Sequence, residues 1–305
     1  MPTSAEMATA DEFERHRGRL TGLGYRMLGS IAAAEDAVQE AYLRWRRADR
    51  ANIANPRAFL SQIVTRLCLD EMKSARARRE TYIGPWLPEP VFQESELSAE
   101  SASEYAHDLS VGLMLALERL SPLERAAFLL HDVFDVNYGE VAKLIERNEA
   151  ACRQLAARAR ANVRAARPRF EMPADGGIAI TQAFVAAARS GDSTALGRLL
   201  AEDAVLHSDG GGKRKAALRI IAGRDPIVQA VVGAVRNILP LLVETRFARV
   251  NGSPGIVAAF SDGSLQTTAL QMAGGLITAI YIVVNPDKLG HVARMTRSNA
   301  TEQIP

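Results

Sequence analysis

Pro85, Pro88 and Pro90 fall within the string Gly84-Pro85-Trp86-Leu87-Pro88-Glu89-Pro90 and forbid a helix there, although the chain on both sides has apolar residues at helical spacing. Charge marks the same seam. Residues 81 to 110 hold no Lys or Arg and six Asp or Glu, whereas residues 1 to 80 hold 14 basic and 11 acidic side chains and residues 111 to 170 hold 10 and 7. The near-neutral total of 37 against 35 therefore conceals two mildly basic segments divided by an acidic one. A second break falls at Pro168 and at Pro173-Ala174-Asp175-Gly176-Gly177, beyond which Gly-punctuated, β-branched runs replace the Ala/Arg-rich helical pattern. With 305 residues, 48% of them apolar, the chain is too long for one small core. The expected organisation is a helical domain over 10–80, an acidic proline-containing linker over 81–110, a second helical domain over 111–170, and an α+β domain over 177–295.

Several function classes drop out on composition. Cys68 and Cys152 lie far apart in helical stretches, which argues against a disulfide framework or a thiolate metal site and fits a reducing compartment. The acidic start MPTSAEMATADEFERH and the lack of any run of about 18 apolar residues give no signal peptide or membrane span, so a soluble, cytoplasmic protein is expected. No phosphate-binding glycine loop of the Walker type occurs, and neither a cofactor nor a metal is expected.

In the first helical segment, Leu20, Leu23, Met27 and Leu28 recur at helical spacing, as do Ala37, Val38, Ala41, Tyr42 and Trp45 in the next helix. The opposite face of that second helix presents Asp36, Gln39, Glu40 and Leu43, a stripe suited to a basic partner, though a solvated surface has the same pattern. A third helix starts at Pro56 after the loop 48–55, turns Phe59, Leu60, Ile63, Val64, Leu67, Leu69 and Met72 inward, and ends in a basic run through Lys73, Arg76, Arg78 and Arg79.

The second helical segment carries the sharper signal. Ser121-Pro122-Leu123-Glu124 is a capping box with proline at the first helical position, opening a helix with Ala126, Ala127, Leu129, Leu130 and Val133. Asn137-Tyr138-Gly139-Glu140 opens a short helix, and after the turn Glu146-Arg147-Asn148 a longer one runs from Glu149 to Arg167. A short helix, a tight turn and an arginine-rich helix have helix-turn-helix spacing, although any three capped helices make a small bundle. From Glu146 to Phe170 the count is seven basic to two acidic. Glu149, Ala150, Arg153 and Gln154 are placed for base edges, with Arg158 and Arg160 for the phosphate backbone.

Together these segments resemble a bacterial extracytoplasmic-function sigma factor. Asp36-Ala-Val-Gln39-Glu40-Ala-Tyr42 resembles the region-two helix that docks on RNA polymerase. The stretch from Pro56 to Asp70 resembles the region that melts and reads the minus-ten element. Leu120 to Arg160 resembles region four, which reads the minus-thirty-five element. The resemblance covers about the first 170 residues. Trp86-Leu87-Pro88-Glu89-Pro90, Asp209-Gly210-Gly211-Gly212-Lys213 and Asn285-Pro286-Asp287-Lys288-Leu289 further resemble signature strings of the SigJ-like subgroup, which carries a C-terminal SnoaL-like, NTF2-like cone. Two departures stand out: Arg66 where many relatives have asparagine, and Cys152-Arg153-Gln154-Leu155 where a Val-Lys-Ser-Arg type start is usual.

The resemblance implies an alternative sigma factor, not an enzyme, with core RNA polymerase and promoter DNA as partners and no separate anti-sigma factor required. Asp36, Gln39, Glu40 and Leu43 would meet the polymerase. Asn55, Arg57, Thr65, Arg66, Asp70 and Arg76 would handle the minus-ten strand, and Glu149, Ala150, Arg153, Gln154 and Arg158 the minus-thirty-five element. Trp86, Leu87, Pro88, Glu89 and Pro90 with Asp209, Lys213, Asn285, Pro286, Asp287 and Lys288 are expected as regulatory linker and contact residues through which the third domain acts in cis, with Trp86 and Pro88-Glu89-Pro90 held against that domain or against the region-two domain. Two other readings stay open: an enzyme using His207, Asp209 and Tyr281, and a ligand-sensing helix-turn-helix regulator that binds duplex DNA unaided.

Overall fold

The computed structural model describes residues 4–49, 53–93, 110–166 and 177–292, and for 4–9 and 75–80 the backbone only. The break around residues 168–176 and the linker beyond residue 93 lie outside these. Among the described residues one compact unit takes 4–49, 53–80 and 113–166, and another takes 81–93, 110–112 and 177–292.

The first unit opens with α1 (Ser4–Leu28), α2 (Ile31–Arg47) and α3 (Pro56–Glu80). Gly29, at φ +70°, ends α1 in the left-handed conformation that glycine adopts without a Cβ penalty, its N–H bonding the Tyr25 carbonyl at 2.7 Å. Ser30 then caps α2 by accepting from the Ala33 N–H. Phe13, Leu20, Leu23 and Met27 of α1 form one core with Ala34, Val38, Ala41 and Trp45 of α2 and Leu60, Val64 and Cys68 of α3.

From Leu113 the same unit continues with the greater part of α4 (Val111–Glu118), then α5 (Pro122–Phe128), α6 (Tyr138–Leu144) and α7 (Glu149–Ala166). The capping box at Ser121 is present in both directions. The helix it opens does not run through Val133 as its pattern suggests. It widens into a π turn over Leu129–Val133, closed by the Phe134 N–H on the Leu129 carbonyl at 2.9 Å and followed by Asp135 at φ +53°.

The second unit packs α8 (Ile178–Ser190), α9 (Ser193–Leu199) and α10 (Arg224–Ile238) on a seven-stranded sheet of order β1-β4-β5-β6-β7-β2-β3. The strands are β1 (Phe92–Gln93), β2 (Leu200–Asp209), β3 (Ile221–Ala222), β4 (Leu242–Val250), β5 (Ser253–Phe260), β6 (Leu265–Ala273) and β7 (Leu276–Val283). Among the described residues only the β2–β7 pair is parallel. Leu206, Ile280 and Leu270 stand in register on the face that buries Phe184, Leu196, Ile227 and Val231 of the helices. The next residue along turns to the other face, so His207, Tyr281 and Ala269 share that one, as do Asp209, Val283 and Thr267. The edge strand β1, which period-2 reading of the sequence does not reveal, comes from the proline-rich segment and pairs antiparallel with β4.

Candidate nucleic-acid and polymerase interface

The stripe on α2 is presented by the packing of its opposite face. Ala34, Ala37, Val38, Ala41 and Trp45 are buried, leaving Asp36 and Gln39 exposed, Glu40 half-exposed and Leu43 at 36% exposure. Glu40 is bound to Arg44 at 2.8 Å one turn on, and Arg46 covers the Tyr42 ring.

On α3 the expected minus-ten residues divide. Asn55 caps the helix, its Oδ1 accepting the Ala58 N–H at 3.0 Å. Arg57, Arg66 and Asp70 are exposed, with Arg66 and Asp70 one turn apart on one face and Asp70 paired to Lys73 at 2.8 Å. Thr65 does not belong with them. It is fully buried, its Oγ1 has no hydrogen-bond partner among the described atoms, and it lies one turn from the buried Ser61 on the inward row. At about 100° per residue, Thr65 cannot share the outward face of Arg66 and Asp70, so it is removed from the nucleic-acid set. The Arg76 side chain and residues 50–52 of the preceding loop lie outside the described residues.

The helix-turn-helix is built as its caps dictate. Asn137 accepts the Glu140 N–H at 3.0 Å to start α6, and Asn148 accepts the Ala151 N–H at 2.8 Å to start α7. Between them Glu146 takes φ +54°, the sharp reversal that sends α7 away from α6. Cys152, Ala156 and Ala159 are buried, which turns Glu149, Ala150, Arg153, Gln154 and Arg158 outward together. Their cations are already oriented. Arg153 is bound to Glu149 at 2.7 Å and lies over the Tyr138 ring, Arg158 reaches Glu124 at 2.9 Å, and Arg160 reaches Asp132 at 2.7 Å. The Arg158 hydrogen bond holds the Glu124 carboxyl below its ordinary pKa, and Asp132 raises that of Arg160. Such exposed pairs are worth little in water, so a phosphate can replace the carboxylate at small cost.

The three signature strings meet in the second unit. Asp209 is fully buried. Its Oδ2 accepts from the Leu87 N–H at 2.8 Å and from Lys288 Nζ at 2.7 Å, while its Oδ1 accepts from the Tyr82 hydroxyl. Lys288 Nζ also donates to the Leu87 carbonyl and stands 4.4 Å from the Trp86 ring centre and 4.9 Å from that of Tyr82. Asn285 donates to the Tyr82 oxygen at 2.8 Å, and burial with the Asp209 bond raises the phenol pKa. Leu87, Pro88 and Pro90 are buried, Glu89 is half-buried, and His291 donates to the Pro90 carbonyl. Gly211, at φ +59°, admits Asn285: a Cβ there would stand 2.2 Å from its amide nitrogen. Pro286 starts the turn that carries Lys288, and Asp287 bonds Lys213 at 2.6 Å from outside. The proline string is thus a strap clamped by a buried ion pair. Asn251 accepts the Val91 N–H at 3.1 Å, and for Tyr82, Asn251 and His291 the signal in the sequence is closeness to the strings and to the β4–β5 turn.

Both Asp209 oxygens are committed to the strap and to Lys288. The His207 ring lies 5.3 Å from that of Tyr281, whose hydroxyl donates to Gln271 at 2.8 Å and whose pKa is raised by burial. Among the described residues no group of three His, Cys, Asp or Glu is placed to hold a metal, and no helix is long and apolar enough to cross a membrane.

Residues 13–78 match the family Sigma-70 region 2, and residues 110–163 match Sigma-70, region 4. Over 288 residues the chain is 39% identical to the ECF RNA polymerase sigma factor SigJ of Mycobacterium tuberculosis, covering 91% of this chain and 92% of that one. The chain belongs to the extracytoplasmic-function sigma factors. This sigma factor is also 32% identical to the probable ECF RNA polymerase sigma factor SigI of the same organism, over 90% of its own length and 92% of the relative. It superposes on the crystal structure of M. tuberculosis SigJ with a TM-score of 0.75 at 35% identity, covering 92% of this chain and 98% of that one. Two sigma regions followed by an α+β domain is the fold class the sequence implied, and an alternative sigma factor for transcription initiation is its function. The α2 stripe and the outward face of α3 lie inside the region-two match, and the start of α7 inside the region-four match, whereas the strap and its clamp lie outside both.

Proposed function

We propose that this sigma factor docks core RNA polymerase through Asp36, Gln39, Glu40 and Leu43, and reads the minus-ten element through Asn55, Arg57, Arg66, Asp70 and Arg76. Glu149, Ala150, Arg153, Gln154 and Arg158 read the minus-thirty-five element. The C-terminal domain regulates both in cis, in place of a separate anti-sigma factor, and the whole acts in the cytoplasm. Promoter opening costs a few kcal/mol for each base taken from the stack, which pockets and phosphate contacts on α3 repay without nucleotide hydrolysis.

The observation that carries the regulatory part is the Asp209–Lys288 clamp on the strap. The strap lies in sequence between the two regions that contact DNA, yet it is held by residues of the third domain. A domain that grips the connection between two readers controls how freely they can be arranged on a promoter.

The test is in vitro transcription with core polymerase on genomic fragments, comparing the full chain, a truncation after Pro173, and Asp209→Asn. Altered promoter output in both variants with polymerase affinity retained supports regulation in cis. Output and affinity unchanged in both rejects it. Loss of promoter opening with polymerase affinity intact in Arg66→Ala supports the minus-ten assignment, and unchanged opening rejects it.

A further inference from the structure

We propose that the free sigma factor holds its minus-ten face shut against its own helix-turn-helix half, through a polar latch centred on Phe134. What the latch hides rests on the minus-ten reading above; whether the latch exists does not.

Phe134 follows the π turn and is buried among arginines of the other half of the same compact unit. Its carbonyl accepts from Arg19 of α1 and, at 3.3 Å, from Arg57 of α3. Arg19 and Arg26 lie 4.9 and 5.6 Å from its ring centre. The exchange is reciprocal. Arg125 of α5, fully buried, donates at 2.7 Å to the Met27 carbonyl at the end of α1, and Leu117 and Glu118 hold it from its own side. Burial draws its pKa down to about 9, so it keeps its charge at neutral pH. Farther out, Arg66 of α3 bonds Glu146 in the helix-turn-helix turn at 2.7 Å. Two residues assigned to the minus-ten strand, Arg57 and Arg66, are therefore already occupied by the half that reads the other element.

The chemistry suits a reversible closure. Among the described residues the seam gathers Arg19, Arg26, Arg57, Arg66 and Arg125, and DNA phosphates attract such a cluster of guanidinium groups. Guanidinium–carbonyl contacts lose little when water or phosphate replaces the carbonyl, unlike a continuous apolar core.

Pulsed electron-spin distance measurement on the free full-length chain, labelled at Gln39→Cys and Gln154→Cys, tests the latch; both native thiols are buried and both label sites are exposed. The parent should give one narrow distance. Glu146→Lys, at a side chain 71% exposed, should populate longer ones, and adding Arg66→Glu should restore the narrow distance. A broad parent distribution, or distances unmoved by both Glu146→Lys and Arg57→Ala, overturns the latch. In transcription, Glu146→Lys should speed promoter opening about two- to fivefold, the equivalent of one surface pair. Distances that lengthen without faster opening leave the latch standing and reject the minus-ten assignment instead.

Discussion

At the scale of single residues, burial decides which groups can react. Burial pushes the Cys68 thiol up to about 12, so it should resist alkylation in the folded chain and react only on unfolding. Its folded pKa lies above the unfolded one, so the stability it confers is full below about pH 8.5 and declines as pH rises toward the folded value. Unfolding free energies at pH 7 and pH 10 should differ by about 1–2 kcal/mol more in the parent than in Cys68→Ala. Lys288→Met leaves the Asp209 carboxylate buried without its cation, and should cost about 3–5 kcal/mol and open the strap to proteolysis. Single residues were legible in the sequence where a local rule fixed them, as at Ser121 and Asn137. Thr65 was not, because neighbours in a basic, DNA-like string can point in opposite directions on a helix. Lys288 was legible as part of a string, but its partner 79 residues away is a product of the fold.

Elements are where the promoter-reading chemistry can be dissected. Asn137→Ala removes the cap of α6 and should lower stability by about 1 kcal/mol, measured by urea unfolding. Arg153→Ala on the outward start of α7 should cost about 1–3 kcal/mol on the preferred minus-thirty-five sequence and little on a scrambled one. Arg158→Ala should weaken both alike and reduce the salt slope by about one counterion. The starts of the capped helices followed from sequence, since a cap acts within a turn. The π turn was invisible, because Leu129 and Leu130 fit an α pattern. β1 was equally hidden, because two residues after a proline run carry no alternation, and their pairing is set by β4, which lies far along the chain.

For the whole molecule, the order of two helical regions and an α+β domain could be read from charge and proline breaks, but the allegiance of the strap could not. A segment written as a linker is bound to the third domain by groups that only folding brings together. That attachment has a side effect on colloidal behaviour. Among the described residues β1 covers only Val250 and Arg249 of β4, while Val243 and Phe247 farther along stand 69% and 45% exposed beside the charged pair Glu244 and Arg246. Those charges act as gatekeepers along that strand. A chain that loses its clamp frees the two rungs at Arg249 and Val250, so concentrated solutions of Lys288→Met should form strand-paired multimers that Lys introduced at Val243 disperses.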